Sequence, residues 1–264
     1  MTNNQATDDA EGTPDSASAM ASLYCGPKFS QWSRPAAGLY PWEFAVLALC
    51  ALQRTSRILN VGCGAGRETF ALHQLGYSDV SGLDCSLALV DVARQRAAQA
   101  GLPLPFVVGS AEALPFPAES FDLVTLFENV LGHITPAAAR RRVLREVHRV
   151  LRPGGYASVE VTSIRNRRRY WLWIRLLDFV RRWYNPAALE PGDKPTRDAR
   201  QIPDLSAQQI PRTHWFHPAE LPADAAAAGL DVLRTSTQKG IVANAYADVR
   251  HYHRGGRLLY LLRK

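Results

Sequence analysis

From Arg57 onward the chain alternates between two hydrophobic rhythms. Short apolar, β-rich runs (RILNVGC from Arg57, DVSGLD from Asp79, PFVVGS from Pro105, FDLVTLF from Phe121 and YASVEV from Tyr156) are separated by stretches of helical period. Those stretches are Glu68–Leu75, Leu87–Ala100 and Pro136–Val150. Continuous rather than alternating apolar runs mark strands covered on both faces, hence a parallel sheet between helix layers. Gly101 and the pair Gly154-Gly155 fall where helices should stop. Upstream, Pro41 suits the first turn of a helix whose apolar residues run from Phe44 to Leu52. A last pair of strands is expected at Leu230–Ser236 and Arg257–Leu262.

Outside this alternation the pattern changes three times. Residues 1–20 are polar, acidic and poor in large apolar groups, so they read as a disordered tail. Tyr24, Phe29, Trp32 and Tyr40 interleave with Gly and Pro, as in an irregular segment laid over something else. Between Thr162 and Trp215 the βα rhythm stops. There RNRRRYWLWIRLLDFVRRWY reads as an amphipathic helix over about 168–184, and five prolines between Asn185 and Arg212 mark a long loop. The division predicted is a tail (1–20), an aromatic cap with a first helix (21–56), an α/β core (57–161), a lid insertion (162–215) and C-terminal strands that complete the core (216–264).

The 264 residues suit one large domain, and with 47% hydrophobic and 21% charged residues a wholly disordered chain is excluded. No apolar run approaches the ~18 residues of a membrane span, and no signal peptide is visible, so a cytoplasmic location is expected. The net charge of +7 comes from 31 basic and 24 acidic residues. Only four of the basic residues are Lys, a skew that genome composition explains as readily as an anionic partner. Cys25, Cys50, Cys63 and Cys85 lack the close spacing of a zinc knuckle or redox pair, and no other side-chain set has metal-ligand spacing, so no metal is expected.

The strongest chemical signal is ILNVGCGAGRET, a buried strand running into Gly62, Gly64 and Gly66 and then into a helix. Glycines allow positive φ and close approach of backbone to a ligand, and the helix start directs N–H groups at it. Asp84 closes the next strand, where a carboxylate can accept hydrogen bonds from both hydroxyls of a ribose. The spacing is G-x-G-x-G, with Arg67 next, and so departs from the G-x-G-x-x-G dinucleotide fingerprint.

At this point the sequence resembles the class I S-adenosylmethionine-dependent methyltransferases, over Tyr40 to Val161 and again from Phe216 to the C-terminus. VGCGAG is similar to that family's first motif and GLDCS to its ribose motif. GSAEALPFPAESFDLVTLFENVLGHI is similar to its third and fourth strands, and LREVHRVLRPGGYASVEV to its fifth. The resemblance implies a Rossmann-like sheet of seven strands, mostly parallel with the last antiparallel, helices on both faces and S-adenosyl-L-methionine over the strand ends. It further implies that Gly62, Gly64 and Gly66 line the methionine and ribose portions and that Asp84 holds the ribose. Cys85 and Leu87 would lie next to the adenine, and Ser110, Ala111 and Glu112 along its edge. Many relatives have Asp where Ser110 stands, and a hydroxyl can accept the same hydrogen bond. Phe127 would offer a backbone carbonyl to the methionine amino group, and Arg34 or Tyr24 would reach the methionine carboxylate.

FENVLGHI resembles the LGNSxxHL stretch of glycine-type N-methyltransferases, which makes Asn129 a substrate-side candidate and His133 a candidate general base. The competing structural reading is a His satisfied by backbone. Lid residues and their neighbours add Tyr40, Trp171 and His217 as substrate candidates and His214 as a second catalytic candidate; Pro218 and Glu220 equally place His217 at a helix start. The expected activity is methyl transfer to a small-molecule acceptor in an aromatic-rich pocket. Two alternatives stay open. The cluster Arg165, Arg167, Arg168 and Arg169 suits RNA, although nucleic acid is not favoured, and the basic-apolar helix suits a membrane surface with a quinone or lipid acceptor. A monomer and a homodimer are equally compatible with the sequence.

Overall fold

The computed structural model describes residues 24, 29–34, 38–164, 176, 179, 190, 192–195, 212–243 and 256–264. The helices α1 (Pro41–Leu49), α2 (Arg67–Gln74), α3 (Leu87–Gln99) and α4 (Ala137–Val150) interleave with the strands β1 (Arg57–Val61), β2 (Asp79–Asp84), β3 (Phe106–Val108), β4 (Phe121–Leu126) and β5 (Leu151–Thr162). Then follow β6 (Asp193–Pro195), β7 (Arg212–His214), α5 (Glu220–Ala227), β8 (Asp231–Thr237), α6 (Gln238–Val242) and β9 (Arg257–Arg263). A four-residue helical turn, Phe29–Trp32, precedes α1.

Seven strands form one sheet in the order β3-β2-β1-β4-β5-β9-β8. β1 pairs in parallel with β2 and β4, β2 with β3, and β4 with β5. β9 runs antiparallel to both β5 and β8. The chain leaves β1 for β2 and β3 on one side and returns for β4 and β5 on the other, so a crevice opens at the C-terminal ends of β1 and β4.

The doubly covered sheet follows from the apolar runs. Leu59, Val61, Val124, Leu126 and Val159 pack with Val143, Leu144 and Val147 of α4 and Leu221 of α5. Ile58, Val80 and Leu123 turn the other way, onto Leu72 of α2 and Val90, Ala93 and Ala97 of α3. A third cluster joins Trp42 and Val46 of α1 to Phe127, Ile241 and Leu259, which seats α1 over the end of β4.

Two local expectations are corrected. Gly154 and Gly155 do not stop α4. The helix ends at Val150, and the glycines sit inside β5, where the register shifts between Phe121 and Leu123. The extra residues Arg152–Gly155 form a bulge, a common role for glycine in a strand. The expected long loop between Asn185 and Arg212 holds a two-stranded ladder instead, with Asp193 paired to His214 and Pro195 to Arg212. Among the described residues this sheet has two strands, so Pro195 stands on an edge strand, a position open to proline. The 1–20 tail lies outside the described residues, as do Trp171, Trp173, Trp183, Arg165, Arg167, Arg168 and Arg169. Of the expected 168–184 helix only Leu176 and Phe179 are described, both helical, with 53% and 62% exposure.

Candidate active site: a two-lobed cleft at the strand ends

Gly62 and Gly64 turn the chain out of β1 with φ of +75° and +52°, values that favour glycine. A side chain on Gly62 would strike Val130, its Cβ falling 2.2 Å from Cγ2. Asp84, at the tip of β2, is buried and fastens this turn. Its Oδ2 accepts the Gly64 N–H (2.8 Å) and its Oδ1 the Ser86 N–H (2.9 Å). Burial raises the Asp84 carboxyl above its ordinary range, and the two backbone N–H groups pull it back. Gly66 does something other than line the cleft. Its φ of +90° starts α2, and a Cβ there would lie 2.8 Å from Phe70 and 2.9 Å from Phe106, so its role is close helix–strand packing.

The cleft has two lobes that meet at Trp32, Gly62, Gly64 and Glu128. One, largely apolar, is walled by Leu83, Asp84, Cys85, Leu89, Ser110, Ala111, Glu112, Tyr24, Val130, His133 and Ile134. The other is polar, lined by Arg34, Tyr40, Arg67, Glu68, Phe127 and Arg257. The structure therefore brings together Gly62, Gly64, Asp84, Cys85, Ser110, Ala111, Glu112, Phe127, Tyr24, Arg34, Tyr40 and His133, candidates drawn from eight separate segments of chain. Leu87 is not among the lining residues; it is 56% exposed.

Four candidates are placed elsewhere or not described. Asn129 is buried beneath the turn after β4, where its Oδ1 accepts the Thr162 N–H (2.7 Å) and its side chain packs under Gly132. It holds that turn against the end of β5 and lines neither lobe. His214 is buried in an ion cluster away from the cleft, and His217 is exposed at the start of α5, where its Nδ1 accepts from Ala219 N (3.4 Å). Trp171 lies outside the described residues. His133 remains at the cleft: its Nδ1 lies 3.2 Å from Thr213 Oγ1, and its ring meets Tyr24 edge-on at 6.3 Å.

Several cleft residues had no sequence signal. Two arginines from the core helices fasten the aromatic cap: Arg96 bonds Ala65 O (3.3 Å) and Ser33 O, and Arg67 bonds Gly38 O (3.1 Å). Arg67 is also neutralised by buried Glu43 at 2.5 Å and lies over the Tyr40 ring at 4.5 Å. Glu128 and Glu160 share Arg257, which comes from the far end of the sequence: Nη1 lies 2.7 Å from Glu128 Oε2 and 3.0 Å from Glu160 Oε1. Glu160 also accepts the Glu128 N–H (2.7 Å) and a bond from Gln238 Nε2 (3.0 Å). Burial pushes its carboxyl up to about 7, against the pull of Arg257. This clamp and Asn129 hold Glu128 and Asn129 at φ of +53° and +64°, conformations L-residues rarely adopt.

The His214 cluster is an internal ion network. Nδ1 lies 2.7 Å from Asp193 and Nε2 2.8 Å from Glu220, so both ring nitrogens face carboxylates. A neutral imidazole has one N–H, and this geometry therefore favours the imidazolium. Burial works against that charge, yet the bonds to Asp193 and Glu220 outweigh it and raise the His214 pKa. Arg140, 1% exposed, adds a second cation 2.9 Å from Glu190 and 3.3 Å from Glu220. Glu190, Asp193 and His214 do have ligand atoms within 4.8 Å of one another. With two cations already set among the carboxylates, the donor set fits an ion network rather than a metal ion.

Residues 58–155 match the family described as a methyltransferase domain. A demethylmenaquinone methyltransferase of Listeria monocytogenes serotype 4a is 33% identical over 128 residues, 46% of this chain and 51% of that protein. The chain thus spans about half the length of the curated relatives it matches. Among solved structures, an S-adenosylmethionine-dependent methyltransferase from Methanosarcina mazei is 23% identical with a TM-score of 0.61 over 86% of this chain and 99% of that one. The [4+2]-cyclase SpnF is 18% identical with a TM-score of 0.61 over 95% and 97%. The second likeness shows that this architecture is shared by proteins named for different reactions, so the reaction has to be argued from the cleft.

Proposed function

We infer that the chain carries a class I S-adenosylmethionine-dependent methyltransferase core and transfers a methyl group from S-adenosyl-L-methionine to a small-molecule acceptor, a reading supported by the match of residues 58–155 to a methyltransferase domain. The observation that supports this most is the fit of the two lobes to the two halves of that cofactor. The apolar lobe offers a buried carboxylate, Asp84, to vicinal hydroxyls, and Ser110 beside Leu83 and Leu89 to a flat base. The polar lobe offers Arg34 to a carboxylate and the end of β4, at Phe127, to an ammonium group. Gly62 and Gly64 line both lobes and add no side chain of their own where the lobes meet. When bound, the cofactor supplies an already activated methyl group.

What the protein must do is align and exclude water, and positioning of this kind is worth roughly 7–11 kcal/mol. Trp32, Tyr24 and His133 line the largely apolar lobe. The aromatic lining favours a small acceptor with ring or apolar surface over a nucleic acid strand. A quinol-type ring is the second reading, supported by the likeness of residues in the core to demethylmenaquinone methyltransferases. No described helix is long and apolar enough to cross a membrane.

The test is calorimetry of the purified protein with S-adenosyl-L-methionine and with S-adenosylhomocysteine. Both should bind at a single site, and failure of both to bind removes the enzyme reading.

A further inference from the structure

The polar lobe carries more acid than its buried arginines balance. Glu43 takes Arg67 on both carboxylate oxygens, at 2.7 and 2.5 Å. Glu128 and Glu160 share Arg257. Glu68, the second residue of α2, is 6% exposed and lines the same lobe. Its Oε2 accepts from Asn60 Nδ2 (2.8 Å), and Oε1 has no hydrogen bond among the described residues. The charged and titratable groups that act on it are Glu43 of α1, Arg67 beside it, Glu128 after β4 and the Cys63 thiol after β1. Burial and then Glu43 hold its carboxyl well above the usual carboxylate range, with Glu128 adding to the rise and Arg67 and Asn60 opposing it. Such a group keeps its proton near neutral pH. With Oε2 already an acceptor, that proton belongs on Oε1.

We propose that Glu68 receives the ammonium group of the ligand's amino-acid end and gives up the proton on Oε1 to solvent as that ammonium arrives. This rests on the methyltransferase reading and adds to it a binding residue and a proton that leaves on binding. The Oε1–H bond breaks, its electron pair stays on Oε1, and Oε1 then accepts an ammonium N–H. The lobe exchanges one positive charge for another, so its carboxylates are no less balanced when full than when empty. An ionised Glu68 in the empty lobe would instead repel Glu43 and Glu128 with no cation of its own. Arg34, on the same lobe, is left for the ligand's carboxylate. Because the empty lobe holds the extra proton, ligand affinity rises with pH until the empty Glu68 itself ionises.

The experiment is calorimetry on the full-length protein with two ligands, S-adenosylhomocysteine and its analogue with hydrogen in place of the amino group. Each is titrated near about pH 7 in phosphate and in Tris, whose ionisation heats differ, so that the buffer dependence of the heat counts protons. The wild type should release roughly one proton with S-adenosylhomocysteine and none with the analogue, and should bind the analogue about tenfold or more weakly. That comparison needs no variant. Glu68→Gln can keep the Asn60 bond; it should abolish the proton release, lower S-adenosylhomocysteine affinity about tenfold and leave the analogue within about twofold, which also shows that it folds. Glu160→Gln should retain the release. A wild type that releases no proton, a release that persists in Glu68→Gln, or an equal loss of both ligands in that variant overturns the proposal. Failure of both ligands to bind the wild type would instead bring down the methyltransferase reading beneath it.

Discussion

At the scale of single residues, buried charge decides most of what can be predicted. Asp84 accepts two backbone N–H groups and is the one carboxylate at the tip of β2. Asp84→Ala should lower affinity for S-adenosylhomocysteine by at least about a hundredfold, the loss of two charge-assisted hydrogen bonds, while far-UV circular dichroism stays native. Glu160 gives a pH signature. Its carboxyl binds a proton more tightly folded than unfolded, because its pKa is pushed up to about 7 while the unfolded chain keeps the ordinary carboxylate value. The folded state then holds more protons between these values, so stability is highest below about pH 4.5 for this group and falls as pH rises through 7. Glu160→Gln removes that dependence; melting curves across this window should show the wild type losing ground to the variant, and parallel curves would contradict it. His214→Asn should destabilise the protein by about 1–3 kcal/mol in urea unfolding, because it leaves buried Asp193 without its charged partner while Glu220 keeps Arg140.

At the scale of elements, the strands and helices of the core were readable because each had an unambiguous period. The doubly buried runs became β1, β2, β4 and β5, and the helical stretches became α2, α3 and α4 within a residue or two. The bulge in β5 was not readable, since a Gly pair after a helix signals a stop wherever no partner strand is known. The β6–β7 ladder was hidden for a related reason, because its pairing joins residues about 20 apart across a proline-rich segment. Within the glycine-rich turn the sequence marked three equivalent positions, and the structure separates them. Gly62→Ala should fail through its clash with Val130 as well as its φ of +75°, at about 1–3 kcal/mol. Adding Val130→Ala should recover the clash part alone, so the double variant should melt above Gly62→Ala. Equal melting temperatures would mean that backbone strain is the whole effect.

At the scale of the whole molecule, the last strand holds the sheet together. β9 lies between β5 and β8 and contributes Leu258, Leu259, Tyr260, Leu261 and Leu262 to the buried core, while Lys264 N–H and C=O bond back to Gly155 and Gly154. Removing residues 257–264 should leave β5 with an open apolar edge and abolish cooperative unfolding, read by calorimetry; a sharp transition in the truncated chain would show that β9 is dispensable. Arg257 sits at the start of the same strand, so the truncation also takes the cation from Glu128 and Glu160. Fold and cleft therefore share this element.

By itself the sequence determined the βα alternation, the doubly covered strands, the turn of Gly62 and Gly64 and the carboxylate at Asp84. Each is written in local period or in short spacing, where the physics of strand burial and backbone freedom acts on neighbours along the chain. Only the tertiary structure decided that Asn129 supports a turn, that His214 belongs to an ion network, and that Arg257 joins Glu128 to Glu160. Those outcomes depend on which distant groups arrive at the same low-dielectric place, as Arg257 does beside Glu128 from 129 residues away. Charge pairing of that kind leaves no period in the sequence to read.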